Sequence, residues 1–274
     1  MTTARFGDLA GHRRLVGTPY DKVWGSTRTD PWYRNPESRP IGEIWFPASE
    51  AVPLLVKFLF TSDKLSVQVH PGDDWAHKHH GSRGKTEMWH ILRADPGARI
   101  AIGLRERVTP ERLREASLSG EIMDLLNWVP VQPGDTFLIP AGTIHAIGEN
   151  IALCEVQQHS DITYRLYDYG RPRELHLDHG VAVSHLGPHG PVATSRLPVK
   201  CRYFHTSRLT VNGRVRCASA DRNTRYIALE GEGLFAGQPF QAGDAWEVER
   251  NSEAFEIESP HAAFLVTAEP AIEP

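Results

Sequence analysis

Apolar and other residues alternate with period two in several short runs of this chain, over residues 54–60, 65–69, 88–92, 136–139, 151–156, 226–230 and 263–266. Turn formers punctuate the runs: Pro133-Gly134-Asp135, Gly148-Glu149-Asn150, Asn212-Gly213 and Ala242-Gly243-Asp244. Period-two alternation bounded by Pro, Gly and Asn predicts strands, and many short strands in succession predict a β-barrel or sandwich over a parallel α/β sheet. One segment changes period. Thr109-Pro110-Glu111 supplies an N-cap, a proline at the first helical position and an acid in the first turn, after which Leu118, Ile122, Leu125 and Leu126 recur at helical spacing. Residues 109–127 are expected as a helical insertion broken at Ser119-Gly120, which either packs on the barrel or covers a site mouth.

The Gly/Pro-rich run Leu186-Gly187-Pro188-His189-Gly190-Pro191, close to Leu197-Pro198, reads as a linker. It divides a first unit over residues 1–190 from a second strand-rich unit over 191–274. Turn spacing in the second, at Gly231, Gly233 and Gly243-Asp244, echoes the first without any comparable set of His and Glu. A degenerate, structural barrel is expected there, ending in a loose tail from residue 268.

Composition removes several classes of function. At 274 residues, 40% hydrophobic and 23% charged, the chain suits one large or two modest soluble units. A net charge of -4 gives no electrostatic reason to expect nucleic acid or an anionic membrane as partner. The aromatic and basic alternation of Tyr164-Arg165-Leu166-Tyr167-Asp168-Tyr169-Gly170-Arg171 has no wider basic surface around it, so a pocket role for Arg165, with tyrosines lining or supporting it, is favoured over base stacking. Cys154, Cys201 and Cys217 are odd in number and widely spaced, which points to a reducing cytoplasm, without disulfides or a thiolate metal site. Neither an apolar signal region after Met1 nor a run of roughly 18 apolar residues occurs, so a soluble, cytoplasmic protein is expected.

Within the first unit the alternation carries chemistry. In the stretch Lys64-Leu65-Ser66-Val67-Gln68-Val69-His70-Pro71, an extended backbone sends Ser66, Gln68 and His70 to one face and Leu65, Val67 and Val69 to the other. Pro71 cannot donate to a ladder and should end the strand with His70 at the barrel rim. Glu87 in Gly84-Lys85-Thr86-Glu87-Met88-Trp89 and His145 in Pro140-Ala141-Gly142-Thr143-Ile144-His145 complete a Gln/His/Glu/His set. Imidazole, carboxylate and amide oxygen together suit one zinc or a similar first-row ion. By contrast, His77, His79 and His80 read as a solvated loop or helix face between two of these ligands. Lys57 sits inside Leu54-Leu55-Val56-Lys57-Phe58-Leu59-Phe60, an expensive place for an ammonium without a partner.

Gly134, Pro140, Gly142 and His145 match the second cupin motif, while the first cupin motif is poorly kept, which disfavours a cupin dioxygenase. Residues 66–71, 84–89, 140–145 and Glu155-Val156-Gln157-Gln158-His159-Ser160-Asp161-Ile162-Thr163-Tyr164-Arg165 resemble type I mannose-6-phosphate isomerase. Trp24-Gly25-Ser26 and Gly42-Glu43-Ile44-Trp45 resemble its amino-terminal signature. The resemblance is to the short bacterial form and runs from about Trp24 to Arg171. It implies mainly β cupin (jelly-roll) barrels, one metal-bearing and one degenerate, with Gln68, His70, Glu87 and His145 as zinc ligands. It further implies Arg165, Lys85 and Glu155 as catalytic residues, and Ser66, Lys57, Lys85 and Arg165 as substrate-binding residues, with Ser66 and Lys57 the phosphate-binding pair. Ile147 departs from the longer members, which often carry tyrosine at that place.

The implied reaction interconverts mannose 6-phosphate and fructose 6-phosphate through an enediolate. It needs positive groups for the developing oxygen charge and a general acid/base for the protons. Glu155, or Lys85 with a lowered pKa, could move those protons, and the base belongs to the group Arg165, Lys85 and Glu155. Two other readings stay open: another cupin sugar-phosphate isomerase or epimerase, and a non-catalytic cupin that senses a sugar phosphate. The expected partner is the small-molecule sugar phosphate, and the expected assembly a monomer or homodimer.

Overall fold

A computed structural model describes residues 11–47, 53–190, 192, 194–218 and 221–270. The extreme amino terminus, Pro191 of the expected linker and the tail beyond residue 270 lie outside them. In chain order come β1 (His12–Leu15), β2 (Thr18–Ser26), β3 (Ile41–Phe46), β4 (Leu54–Phe60) and β5 (Val67–Val69), then helix α1 (Asp73–His80). Strands β6 (Glu87–Ala94) and β7 (Arg99–Leu104) lead to helices α2 (Pro110–Ser119) and α3 (Ile122–Leu125). Next are β8 (Leu126–Pro130), β9 (Thr136–Ile139), β10 (His145–Ile147), β11 (Ile151–Gln158), β12 (Tyr164–Tyr167) and helix α4 (Leu177–Val183). The remainder is β13 (Val199–Lys200), β14 (His205–Cys217), β15 (Thr224–Phe235), β16 (Gln238–Gln241), β17 (Ala245–Val248) and β18 (Phe255–Ala268).

The chain is mainly β, with cupin architecture. A six-stranded sheet, β2-β3-β4-β11-β6-β9, and a five-stranded sheet, β12-β5-β10-β7-β8, build the first barrel, with every strand pair antiparallel. Leu59, Leu65, Trp89, Ile91, Ile100, Ile102, Ile147 and Leu153, drawn from both sheets and the segment before β5, form its inner core. Strand β4 is buried along its whole length because its two faces meet different cores. Leu54, Val56, Phe58 and Phe60 pack outward on Ile227, Leu229, Ala245 and Leu265 of the third sheet, while Leu59 faces inward.

That third sheet, β1-β17-β15-β18-β14-β13 with β16 beside β15, curls around a core of its own, where Val211, Phe235, Phe240, Trp246, Ile257 and Phe264 meet. It takes its first strand from the amino end: His12–Leu15 pairs with Ala245–Val248, so the division at residue 190 is crossed by β1. Strands β15 and β18, 12 and 14 residues long, extend well beyond the runs expected at 226–230 and 263–266, into half-exposed stretches with no apolar run, and β14, 13 residues long, had no expected run at all.

The insertion forms two helices with the expected cap and break. Thr109 Oγ1 accepts from Arg112 N at 3.1 Å, and Gly120 ends α2 at φ 88°, a conformation that favours glycine. The helix phase differs from the expectation, however. Leu118 is 66% exposed, and Leu113 and Ala116 face inward instead. Leu126 already begins β8. With Ile122 and Leu125, and with Leu177 and Val181 of the unexpected α4, these residues cover Val67, Val69, Ala146 and Leu166. Gln68 and His145 alternate with those residues and point the other way, so the insertion packs behind the site and does not roof it.

Candidate metal centre and active site

Strand register brings the chemistry together in two rows. On the five-stranded sheet His145 of β10 stands opposite Gln68 of β5, which stands opposite Arg165 of β12. Facing them on the six-stranded sheet, Trp45 of β3 is opposite Lys57 of β4, Lys57 is opposite Glu155 of β11, and Glu155 is opposite Trp89 of β6. Directly opposite residues on one face of a sheet are in side-chain contact range. The rows enclose a cleft of about 370 Å³ lined by Lys57, Ser66, Gln68, Lys85, Glu155 and Arg165.

His70, Glu87 and His145 form a buried, metal-competent cluster that adjoins this cleft through Gln68 and Lys85, with one potential ligand atom from each lying within 4.8 Å of the others. His70 Nδ1 faces the Ile162 carbonyl and His145 Nδ1 the Thr143 carbonyl, both at 2.8 Å. A carbonyl only accepts, so each Nδ1 carries the proton and each Nε2 keeps its lone pair. Those Nε2 atoms lie 3.5 Å from Glu87 Oε2 and Oε1 respectively. Burial and the nearby Lys85 charge push the His70 imidazole well below its ordinary pKa and the His145 imidazole to about 4. Both rings are therefore neutral, as metal ligands must be. Glu87 Oε1 is buried without a hydrogen-bond partner, an orphaned acceptor aimed at the triad. Gln68 borders the triad, but it turns Nε2 to His145 Nε2 at 3.3 Å, while its Oε1 accepts from Ser66 Oγ at 3.4 Å. Its use as an oxygen ligand requires a half-turn of the amide.

Gly142 shapes the approach to His145. Its φ is +84°, and a Cβ there would lie 2.7 Å from His185 Nε2, so only glycine fits this turn without displacement.

Lys57 is 5% exposed, with an acid and an aromatic ring as partners. Its Nζ lies 3.4 Å from Glu155 Oε1 and 4.4 Å from the centre of the Trp45 ring. Trp89 Nε1 donates to Glu155 Oε2 at 3.0 Å. Burial, then the Glu87 charge, raises the Glu155 pKa despite two neighbouring ammonium groups. Lys85 Nζ donates to Glu87 Oε2, contacts His70 Nε2 at 3.0 Å and lies 3.9 Å from Glu155 Oε1. Burial opposes its charge, but Glu155 and Glu87 outweigh that and raise its pKa, the reverse of the lowered value expected for a lysine base. Arg165 donates from Nη1 to the Glu174 carbonyl at 2.7 Å, and its buried Nε has no partner.

No family model matches the chain. Mannose-6-phosphate isomerase of Streptococcus mutans is 45% identical over 192 residues, 68% of this chain and 59% of that protein. Mannose-6-phosphate isomerase ManA of Bacillus subtilis is 38% identical over 214 residues, 70% of this chain and 67% of the relative. The chain belongs to the mannose-6-phosphate isomerase family. Mannose 6-phosphate isomerase from Bacillus subtilis superposes with a TM-score of 0.82 at 27% identity, covering 94% of this chain and 99% of that one.

Within this isomerase-family cleft stand several residues for which the sequence alone predicts no role. Glu43 accepts from Trp45 Nε1 and pairs with Lys22, both at 2.9 Å. Burial would raise its pKa, but Lys57 and Lys22 hold it below the ordinary value. The Glu43/Trp45 alternation against Ile44 and Phe46 was the available signal. Arg173, tied to Asp168 Oδ2 at 2.6 Å, also lines the cleft. Ile147 gives it an apolar wall. The tyrosines of the 164–171 run do not line it: Tyr164 is on the opposite face, where it accepts from Trp75 Nε1 at 3.1 Å. Helix α1 exposes His77, His79 and His80; His79 stacks on Trp75 with ring centres 4.2 Å apart, and His80 lies 2.6 Å from the Tyr164 hydroxyl.

Proposed function

We propose that this chain is a zinc-dependent aldose-ketose isomerase that interconverts mannose 6-phosphate and fructose 6-phosphate. The observation that carries the reading is the pair of facing rows: a His/Glu/His triad with an orphaned carboxylate oxygen opposite a buried carboxylate flanked by two ammonium groups. His70, Glu87 and His145, joined by Gln68 through Oε1, would hold the ion, and two imidazoles with two oxygens suit zinc. When bound, zinc supplies Lewis-acid stabilisation of the oxygen charge that develops in the enediolate.

The chain's own groups account for the rest. Glu155 takes the C2 proton of the aldose as a carboxylate and returns it to C1, while a hydroxyl proton passes from O2 to O1, so no atoms are gained or lost. Arg165 cannot act as a base, and Lys85 is held protonated by Glu87 and Glu155, which leaves Glu155 within that catalytic group. Burial raises its pKa above the ordinary carboxylate value, which strengthens it as a base. Lys85 and the unpartnered Nε of Arg165 stabilise the developing negative charge. Ser66 and Lys57 donate to substrate oxygens, and Lys57, Arg165 and Arg173 supply positive charge for the phosphate.

Catalysis is assigned to residues 1–190 and the degenerate barrel to 191–274, with β1 crossing between them. Three free cysteines support placement in a reducing cytoplasm, and among the described residues no helix is long and apolar enough to cross a membrane. The test is turnover of mannose 6-phosphate by purified protein, with glucose 6-phosphate in parallel, before and after chelation and zinc add-back. Chelator-sensitive, zinc-restored turnover of mannose 6-phosphate alone supports the proposal; metal binding with no turnover of either sugar refutes it.

A further inference from the structure

Arg225 is 0% exposed, on the face of β15 that packs against the catalytic barrel. Its Nη1 donates to the carbonyls of Leu54 at 2.9 Å and Phe46 at 3.4 Å, and its Nη2 donates to the Pro47 carbonyl at 2.9 Å. Nη2 and Nε also reach Glu247 Oε2 on β17, at 2.9 and 3.3 Å. The other Glu247 oxygen accepts from Arg13 on β1 at 2.9 Å. A guanidinium presents several donors in a rigid plane, so this one side chain holds three carbonyls from two strand ends in a fixed mutual position.

Those carbonyls mark the exit of β3 and the entry of β4. Trp45 immediately precedes Phe46, and Lys57 lies three residues beyond Leu54. Trp45 and Lys57 are register partners, with the ammonium 4.4 Å from the ring centre, and both line the cleft. Any change in the separation of the two strand ends is passed to that pair through a short, fully paired ladder. We infer that Arg225 is a positioning residue for the cleft: by gripping the β3 and β4 carbonyls it sets the Trp45–Lys57 wall, so the carboxyl-terminal sheet governs substrate affinity without touching the substrate. This rests on the isomerase reading, in which Lys57 binds substrate.

The experiment measures kcat and KM for mannose 6-phosphate on the full, zinc-loaded chain, for wild type, Arg225→Met, Arg225→Lys and Arg13→Met, with melting temperature and metal content alongside. Arg225→Met is expected to raise KM about tenfold with kcat within about twofold, because ground-state and transition-state binding are lost together. Millimolar guanidinium should lower that KM again, Arg225→Lys should fall between, and Arg13→Met should keep the wild-type KM. A lowered melting temperature with unchanged KM in Arg225→Lys makes the residue structural only and overturns the inference, and that variant decides the matter if Arg225→Met fails to fold. A KM rise in Arg13→Met equal to that in Arg225→Met overturns it too, since the effect would then come from a loosened interface. A wild-type chain that turns over no mannose 6-phosphate refutes the isomerase reading and this inference with it; an active wild type with unaltered variants refutes this inference alone.

Discussion

Lys57→Met keeps most of the buried stem and deletes one positive charge from the cleft floor. In the wild type that charge lies 3.4 Å from Glu155 Oε1. At this separation, and at the effective dielectric constant that suits protein sites, the gross attraction is about 5 kcal/mol. Lys85 remains 3.9 Å from the same oxygen, so most of the compensation survives the substitution. A net rise in the Glu155 pKa of about one unit is expected, equivalent to roughly 1.4 kcal/mol. The sign follows from role and charge. In the proposed reaction Glu155 acts as a carboxylate; Lys57 favours the carboxylate form, and its removal makes protonation easier. The acidic limb of kcat/KM against pH should therefore move about one unit toward alkaline pH. Loss of a charged hydrogen-bond donor should also raise KM by about tenfold or more, from a contribution of roughly 1.5–3 kcal/mol. The assay is a pH series of initial rates, with a melting curve confirming that the variant is folded. A folded Lys57→Met whose acidic limb and KM both match wild type would refute the assigned roles of Lys57 and Glu155 together.

His145→Ala should lose bound metal and activity in step while melting near wild type, and an active metal-free variant would remove His145 from the ligand set. Arg165→Ala should keep its metal and lower kcat by about 10²–10³, the effect of deleting a donor aimed at developing charge; wild-type turnover would exclude it from the mechanism. Glu155→Gln should lower kcat about 10²–10⁴ with metal retained, and any smaller loss moves the base elsewhere. His90, buried and bonded to Thr136 Oγ1 at 2.8 Å, has its pKa lowered to about 4 by burial. The unfolded chain takes up that proton more readily, so stability is full above about pH 6.5 and falls as pH drops toward 4, by about 2 kcal/mol at pH 5. His90→Gln should flatten this part of a denaturation-versus-pH curve, and an unchanged slope would refute the assignment.

How much was legible in the sequence follows from which interactions are local. Alternation within one strand is local, so the separation of Gln68 and His70 from Val67 and Val69 was readable and holds in β5. The Thr109 cap and the Gly120 stop are equally local. Helix phase is not. Leu118 belongs to the same apolar pattern as Ile122, yet it points to solvent because the sheet beneath the insertion meets Leu113 and Ala116. Helix α4 was missed because its seven residues carry only two buried apolar side chains, too few to establish a period. Partnership across strands is the least local property. Glu43 and Trp45 stand in a sequence motif that gives them no role, and only the register of β3 on β4 joins them to Lys57.

Charged residues interrupt strands that otherwise read as core, among them Lys57 in β4, Glu155 in β11 and Arg225 in β15. An unpaired charge in such a place costs several kcal/mol, so each interruption by itself implies a buried partner. The partners come from other strands: Lys57 and Glu155 meet each other across β4 and β11, and Arg225 meets Glu247 and three carbonyls of the neighbouring barrel. Their difference lies in what the cavity does. Lys57 and Glu155 open onto the cleft, where a substrate can share their charge, whereas Arg225 is closed on every side by protein acceptors. A charge in a core strand therefore marks a constraint that apolar packing cannot supply, and exposure to a cavity decides whether that constraint is chemical or positional.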